Sequence, residues 1–259
     1  MALIRSKSYW SRKKVRLAKW LGCATTDILW EEEIKKRFCT LKMGISAIKG
    51  VSVESSSKQF NELEQTVVNH VRARYRLETL KDEEVIRRYR DFYWREIKID
   101  PTKIRPASEA LVRRILRGQR LPRILNVVDA YNLASIETML SFGAFDLDKL
   151  RLPLTIRLAR RREDFLGIGM KEIEYLSGKE PVIGDKEGII CVYPYRDSDR
   201  TKITKNTRNV LLLAGGVPGI SESSLINGIK KASNYITQVS GGRTEEMKIV
   251  TTQGQRSIL

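Results

Sequence analysis

Leu121–Leu150 reads LPRILNVVDAYNLASIETMLSFGAFDLDKL, and this stretch decides the fold class. Its first part predicts a helix over 126–140, much of which is covered by Val127, Val128, Leu133 and Met139. Asn126, Asp129 and Asn132 step around the remaining side, and Glu137 returns to it. Polar groups set among apolar residues need partners, so this edge either caps neighbouring backbone groups or faces a ligand. The stretch then runs through Gly143 and Asp146 toward a strand-rich C-terminal half.

Working outward toward the N-terminus, the pattern is mostly helical. Leu41–Val53 alternates as a strand with a bend at Gly50, and Leu63, Val67, Val71 and Tyr75 form one stripe of a helix over 61–75. Asp82–Glu96 predicts a second helix with three acids at its positive end. Its Tyr89, Phe92, Tyr93 and Trp94 fall at helical spacing, which reads as core rather than as a base-stacking platform. Pro106 opens and Gly118 closes a third helix, with Leu111, Ile115 and Leu116 inward and Arg113, Arg114 and Arg117 outward.

Toward the C-terminus, short strands are expected over 154–158, 173–176, 188–193 and 209–213. Gly215–Gly219 reads as a tight turn. Ser221 caps a last helix, which Gly241-Gly242 ends. One strand, several helices, several strands and one helix describe an α+β domain, with a mixed sheet or barrel-like β core flanked by helices. The expected division is a basic extension over 1–30, a single domain over 31–242 and a polar tail over 243–259.

The formal net charge is +17, from 48 Lys plus Arg against 31 Asp plus Glu, which suits a polyanionic partner such as RNA. A solubilising surface is the alternative. Met1–Trp20 carries seven basic residues and no acid, and an Arg-rich band includes Arg113, Arg114, Arg117, Arg120 and Arg123. Arginine suits bidentate contacts to phosphate. The first thirty residues read as an RNA-binding arm, a targeting segment or translation from an upstream start.

Cys23, Cys39 and Cys191 have no ligand spacing, and His70 is the single histidine. Neither a zinc site nor a disulfide framework is indicated, and His70 reads as a surface residue. No metal or cofactor is expected, no apolar run reaches membrane-spanning length, and a cytoplasmic protein with reduced cysteines is the expectation.

A second polar stretch, Tyr193–Ile220, reads YPYRDSDRTKITKNTRNVLLLAGGVPGI. Arg196, Asp197, Asp199, Arg200, Thr204 and Asn209 precede the buried run Val210–Leu213. They are either a charged hairpin closed by local pairs or a ligand-facing set.

Together the two stretches resemble the B3/B4 domain of the phenylalanyl-tRNA synthetase beta subunit. That domain has a similar Asn, Val-Asp and Tyr-Asn series, then His-Ala-Phe-Asp-Leu-Asp-Lys. This chain has Asn126, Val128-Asp129, Tyr131-Asn132 and Gly143-Ala144-Phe145-Asp146-Leu147-Asp148-Lys149. A Thr-x-x-Thr-x-Asn-Val run is similar at Thr204, Thr207, Asn209 and Val210. Two departures stand out: the family's editing-site histidine falls on Gly143, and an acid falls on Asn206.

The resemblance implies an α+β fold and a role with tRNA. It points to a tRNA-binding protein that removes mischarged amino acids by ester hydrolysis. The alternatives are a non-catalytic module for RNA or an amino-acid-like ligand, and an interaction subunit of a larger RNA complex. The implied ligand-binding set is Asn126, Asp129, Asn132, Gly143, Asp146, Arg196, Asp197, Asp199, Arg200, Thr204 and Asn209, with no catalytic residue assigned.

Overall fold

The computed structural model describes residues 27–55 and 58–259. Most of the basic extension, with Trp10, Trp20 and Cys23, lies outside the described residues. The extension does not run to residue 30, however. Ile28–Trp30 is a strand, β1, and α1 follows at Glu32–Arg37. β2 spans Lys42–Lys49, α2 Lys58–Arg74, α3 Glu84–Arg95, α4 Ala107–Leu116 and α5 Asn126–Thr138.

The C-terminal half is strand-rich, as expected, but with more strands. They are β3 (Ser141–Asp146), β4 (Leu154–Leu158), β5 (Asp164–Phe165), β6 (Glu174–Tyr175), β7 (Pro181–Gly184), β8 (Ile189–Val192), β9 (Arg196–Asp197) and β10 (Asn209–Gly216). α6 (Glu222–Ser240), β11 (Arg243–Thr251) and β12 (Gly254–Ser257) complete the described elements.

Two open five-stranded sheets carry the fold, and neither closes into a barrel. One has the order β1-β4-β7-β8-β9, parallel only at β1–β4 among its pairs. The other has the order β12-β11-β2-β10-β3 and is antiparallel throughout. β2 lies inside that sheet, and its interior residues Met43–Ile48 are all buried. A strand covered on both faces has no need to alternate.

Two expectations are corrected here. Residues 243–259 are not a polar tail. β11 pairs with β2 from Arg243↔Lys49 to Thr251↔Lys42 and buries Met247, Ile249 and Val250. Its first half is polar and Lys248 is buried among the apolar residues, so the strand carries no clean period-2 pattern. Gly215 and Gly216 belong to β10 rather than to a turn. A Cβ at Gly216 would come within 2.6 Å of the Lys42 carbonyl oxygen, so the adjacent strand excludes a side chain there.

α6 lies across β2, β10 and β11. It is capped by the Ser221 side chain, which accepts from the Ser224 N–H. Buried Ser233 Oγ and Ser46 Oγ are 3.0 Å apart across that contact, so neither hydroxyl is orphaned. The α3 aromatics behave as core: Tyr89, Phe92 and Tyr93 are buried, and only Trp94 is exposed. Each such burial removes apolar area worth about 1.5–3 kcal/mol.

Two tyrosines, one from α3 and one from the segment after β8, bind the C-terminal end of β10. Tyr193 donates to the Gly216 carbonyl at 2.7 Å. Tyr89 donates to the Gly215 carbonyl and accepts from the Ser141 N–H at 3.1 Å. Beside these bonds the sheets part and leave a cavity.

Candidate functional site

The cavity has a volume of about 70 Å³, with a wall formed by β3, β10, the β8–β9 segment and the start of α4. That is room for several waters or one small polar group. Ser141 and Gly143 come from β3, Cys191 from β8, Arg196 and Asp197 from β9, and Ala107 from the first turn of α4. The buried Ser141 Oγ lies near the Tyr89 hydroxyl but has no hydrogen-bond partner of acceptable geometry.

Gly143 and Asp197 fit each other. A Cβ built on Gly143 would lie 2.8 Å from Asp197 Oδ1 and 2.9 Å from Oδ2. The space beside this glycine is therefore occupied by the β9 carboxylate. Asp197 pairs in register with Cys191, so the carboxylate and the buried thiol share one face of the sheet.

Asp197 as a residue keeps some surface, but its carboxylate points inward toward β3. Burial pushes its pKa up to about 7, against the smaller opposing pull of the hydrogen bond from the Ala144 backbone N–H. Burial also pushes the Cys191 thiol well up, with the nearby Asp197 charge adding to it, so the thiol is held neutral. Tyr131 on α5 is raised by burial and by the same carboxylate. Arg196 is the adjacent cation and also lines the cavity, but its guanidinium donates to the Ile168 carbonyl at 3.2 Å and lies 5.1 Å from the Tyr195 ring.

The remaining expected ligand-binding residues lie elsewhere, and most of them hold the chain together. Asn126 donates to the Ser52 and Val239 carbonyls at 2.9 and 3.2 Å and accepts from the Glu54 N–H at 3.1 Å. It joins the start of α5 to the loop after β2 and to the last turn of α6. Asp129 accepts from the Ile124 N–H at 3.0 Å, and Asn132 is half-buried and does not line the cavity. Asp146 accepts from Thr207 Oγ1 at 2.7 Å and from the Asp148 N–H at 3.2 Å. Thr204 donates its N–H to Thr207 Oγ1 at 3.0 Å, and Asn209 donates to Asp148 at 3.0 Å.

Asp199 pairs with Lys202 at 2.6 Å, and Arg200 pairs with Asp185 at 2.7 Å. Of the two readings left open for this segment, local pairing describes these four residues, Thr204, Asn209, Asp199 and Arg200. Glu137 likewise joins α5 to α6 through Lys231, at 3.1 Å. Gly143, Arg196 and Asp197 are the expected residues that the fold brings to the cavity.

The expected RNA-facing arginines also divide. Arg113 is committed to Glu109 at 2.8 Å, and Arg90 holds the same fully buried carboxylate at 3.1 Å. Arg123 pairs with Glu64 and stacks 4.4 Å from the Phe60 ring. Arg114, Arg117 and Arg120 remain exposed, with Arg114 also donating to the Arg120 carbonyl at 3.0 Å. Exposed Arg72 and Arg76 line a cleft with Ile115, Leu116 and Gly118, at the C-terminal ends of α2 and α4. His70 is exposed on α2.

Sequence reasoning missed Ser141, Cys191 and the tyrosine pair as parts of the site. Ser141 and Cys191 carried no motif, and the β3–β8–β9 meeting is long-range. Among the described residues, no group of three or more His, Cys, Asp or Glu is arranged to hold a metal ion, and no helix is long and apolar enough to cross a membrane.

Two open sheets, flanking helices and a cavity at the β3–β10 seam define a class of α+β module. Residues 88–240 match the B3/4 domain, and the chain belongs to that family. It is 32% identical over 115 residues to the phenylalanine–tRNA ligase beta subunit of Fusobacterium nucleatum, covering 44% of this chain and 14% of that protein. It is 27% identical over 143 residues to the tRNA(Ile)-lysidine synthase of Clostridioides difficile, covering 51% of this chain and 28% of that protein. The chain thus spans less than a third of either relative. An N-terminal fragment of the Pyrococcus horikoshii phenylalanyl-tRNA synthetase beta subunit has the same fold. The TM-score is 0.52 at 14% identity, over 91% of this chain and 55% of that one.

Proposed function

We propose that this chain binds tRNA and hydrolyses the ester of a mischarged aminoacyl-tRNA at the β3–β9 cavity. The observation that carries this reading is the cavity itself. It lies within the family-matched residues and combines a buried carboxylate, an unpartnered hydroxyl at Ser141 and the uncapped N-terminus of α4 at Ala107. Preorganised donors beside a water-sized space suit attack on an ester carbonyl, because the donors stabilise the oxyanion that forms.

The tRNA body would meet the arginines at the other end of α4. Ten residues of helix span roughly 15 Å, so Arg114 and Arg117 stand within a few nucleotides of the cavity wall at Ala107. The net charge of +17 supports the same partner. Both curated relatives named above carry tRNA in their names, which agrees with a tRNA substrate.

The test is retention of tRNA on filters across a salt series, together with amino-acid release from mischarged tRNAs. Salt-sensitive retention and protein-dependent release support the reading. Retention without release makes the chain a non-catalytic tRNA-binding module. The absence of both retention and release refutes it.

A further inference from the structure

We propose that Asp197 is the catalytic base of this cavity, removing a proton from the water that attacks the aminoacyl ester. This assignment rests on the deacylation reading above and names the residue that reading leaves open.

The argument begins with the backbone of β3. Position 143 has no side chain, and the Asp197 carboxylate from β9 fills the space a Cβ would need, at 2.8–2.9 Å. The carboxylate therefore enters the cavity beside a position of β3 that presents only backbone. Among the described residues no cation pairs with it: Arg196 donates to the Ile168 carbonyl, and Cys191 and Tyr131, the titratable groups facing it from β8 and α5, are both held neutral. A buried, uncompensated carboxylate is costly, and asparagine would make the same backbone contact without that cost. Such a group, in a water-sized space open to solvent, is placed for proton transfer.

The step balances without any co-reactant. Asp197 takes a proton from water as the water oxygen bonds to the ester carbonyl carbon. The positive end of α4 at Ala107 is placed to offset charge on the carbonyl oxygen. The adduct collapses with cleavage of the carbon–oxygen bond to the ribose, and the Asp197 carboxyl returns its proton to the departing ribose oxygen. The products are the free amino acid and tRNA with an intact terminal hydroxyl.

The test measures single-turnover deacylation of mischarged tRNA between about pH 5 and pH 8, with tRNA retention measured alongside. The wild-type rate is expected to rise through about pH 7 and then level. Asp197→Asn should lower the plateau by about 100-fold or more and leave retention unchanged. Gly143→Ala keeps the carboxylate but displaces it, and should lower the rate by about tenfold or more.

If the Asn variant does not fold, Gly143→Ala decides, and an unchanged rate overturns the assignment. Wild-type activity with an unaltered rate and pH profile in Asp197→Asn overturns the assignment and leaves the deacylation reading intact. No release by the wild-type protein from any tRNA overturns both.

Discussion

Replacing Asp197 with asparagine should change stability in a way that depends on pH. In the folded chain, burial raises this carboxyl from 3.8 to about 7. Between those values the folded state holds a proton that the unfolded chain has lost. Stability therefore falls as pH rises across that window, and the full penalty is present above pH 7. From pH 5 to pH 8 the window covers about two pH units, equivalent to about 3 kcal/mol. Solvent screening at the cavity mouth reduces this to roughly 2 kcal/mol.

Asparagine does not titrate, so the variant escapes the penalty. Its stability relative to wild type should rise by roughly 2 kcal/mol between pH 5 and pH 8. Urea unfolding of both proteins at the two pH values reads this directly, and any pH-independent cost of the amide cancels in the difference. The same offset at both pH values would refute the claim that the carboxylate is buried without a cationic partner.

Other perturbations probe the surrounding framework. Gly143→Ala should destabilise by about 1–3 kcal/mol through overpacking against Asp197, and a double-mutant cycle with Asp197→Asn should show coupling between the two positions. Glu109→Ala strips both Arg90 and Arg113 of their buried partner and should cost about 3 kcal/mol, seen as a lower urea midpoint. Removing residues 243–259 deletes β11 and β12, exposes the β2 edge and should abolish the cooperative thermal transition. Changing Arg117 and Arg120 together to alanine should weaken tRNA retention and reduce the salt slope by about 1.5, whereas Arg113→Ala should act mainly on stability.

The helical half was legible because its signals are local. The stripe Leu63, Val67, Val71 and Tyr75 and the Pro106–Gly118 punctuation need only neighbouring residues, and α2 and α4 follow them. β11 was not legible, because its apolar residues count as a strand only once β2 lies beside them. Ser141–Asp146 was likewise hidden behind its turn-like Asp146-Leu147-Asp148, although β10 pairs along its whole length.

The candidate site was less legible than the fold. Asn126, Asp146 and Asn209 look the same in a sequence whether they bind a ligand or tie loops together, and in this chain they tie loops. Gly143 drew attention as a missing side chain. That its space belongs to Asp197, fifty-four positions later, is a consequence of sheet packing that residue spacing does not encode.

The most direct measurement of the central claim is amino-acid release from a panel of labelled mischarged tRNAs incubated with the full chain. The account predicts protein-dependent release from at least one of them, lost in Asp197→Asn while tRNA is still retained. Release no faster than the spontaneous rate from every tRNA would contradict it.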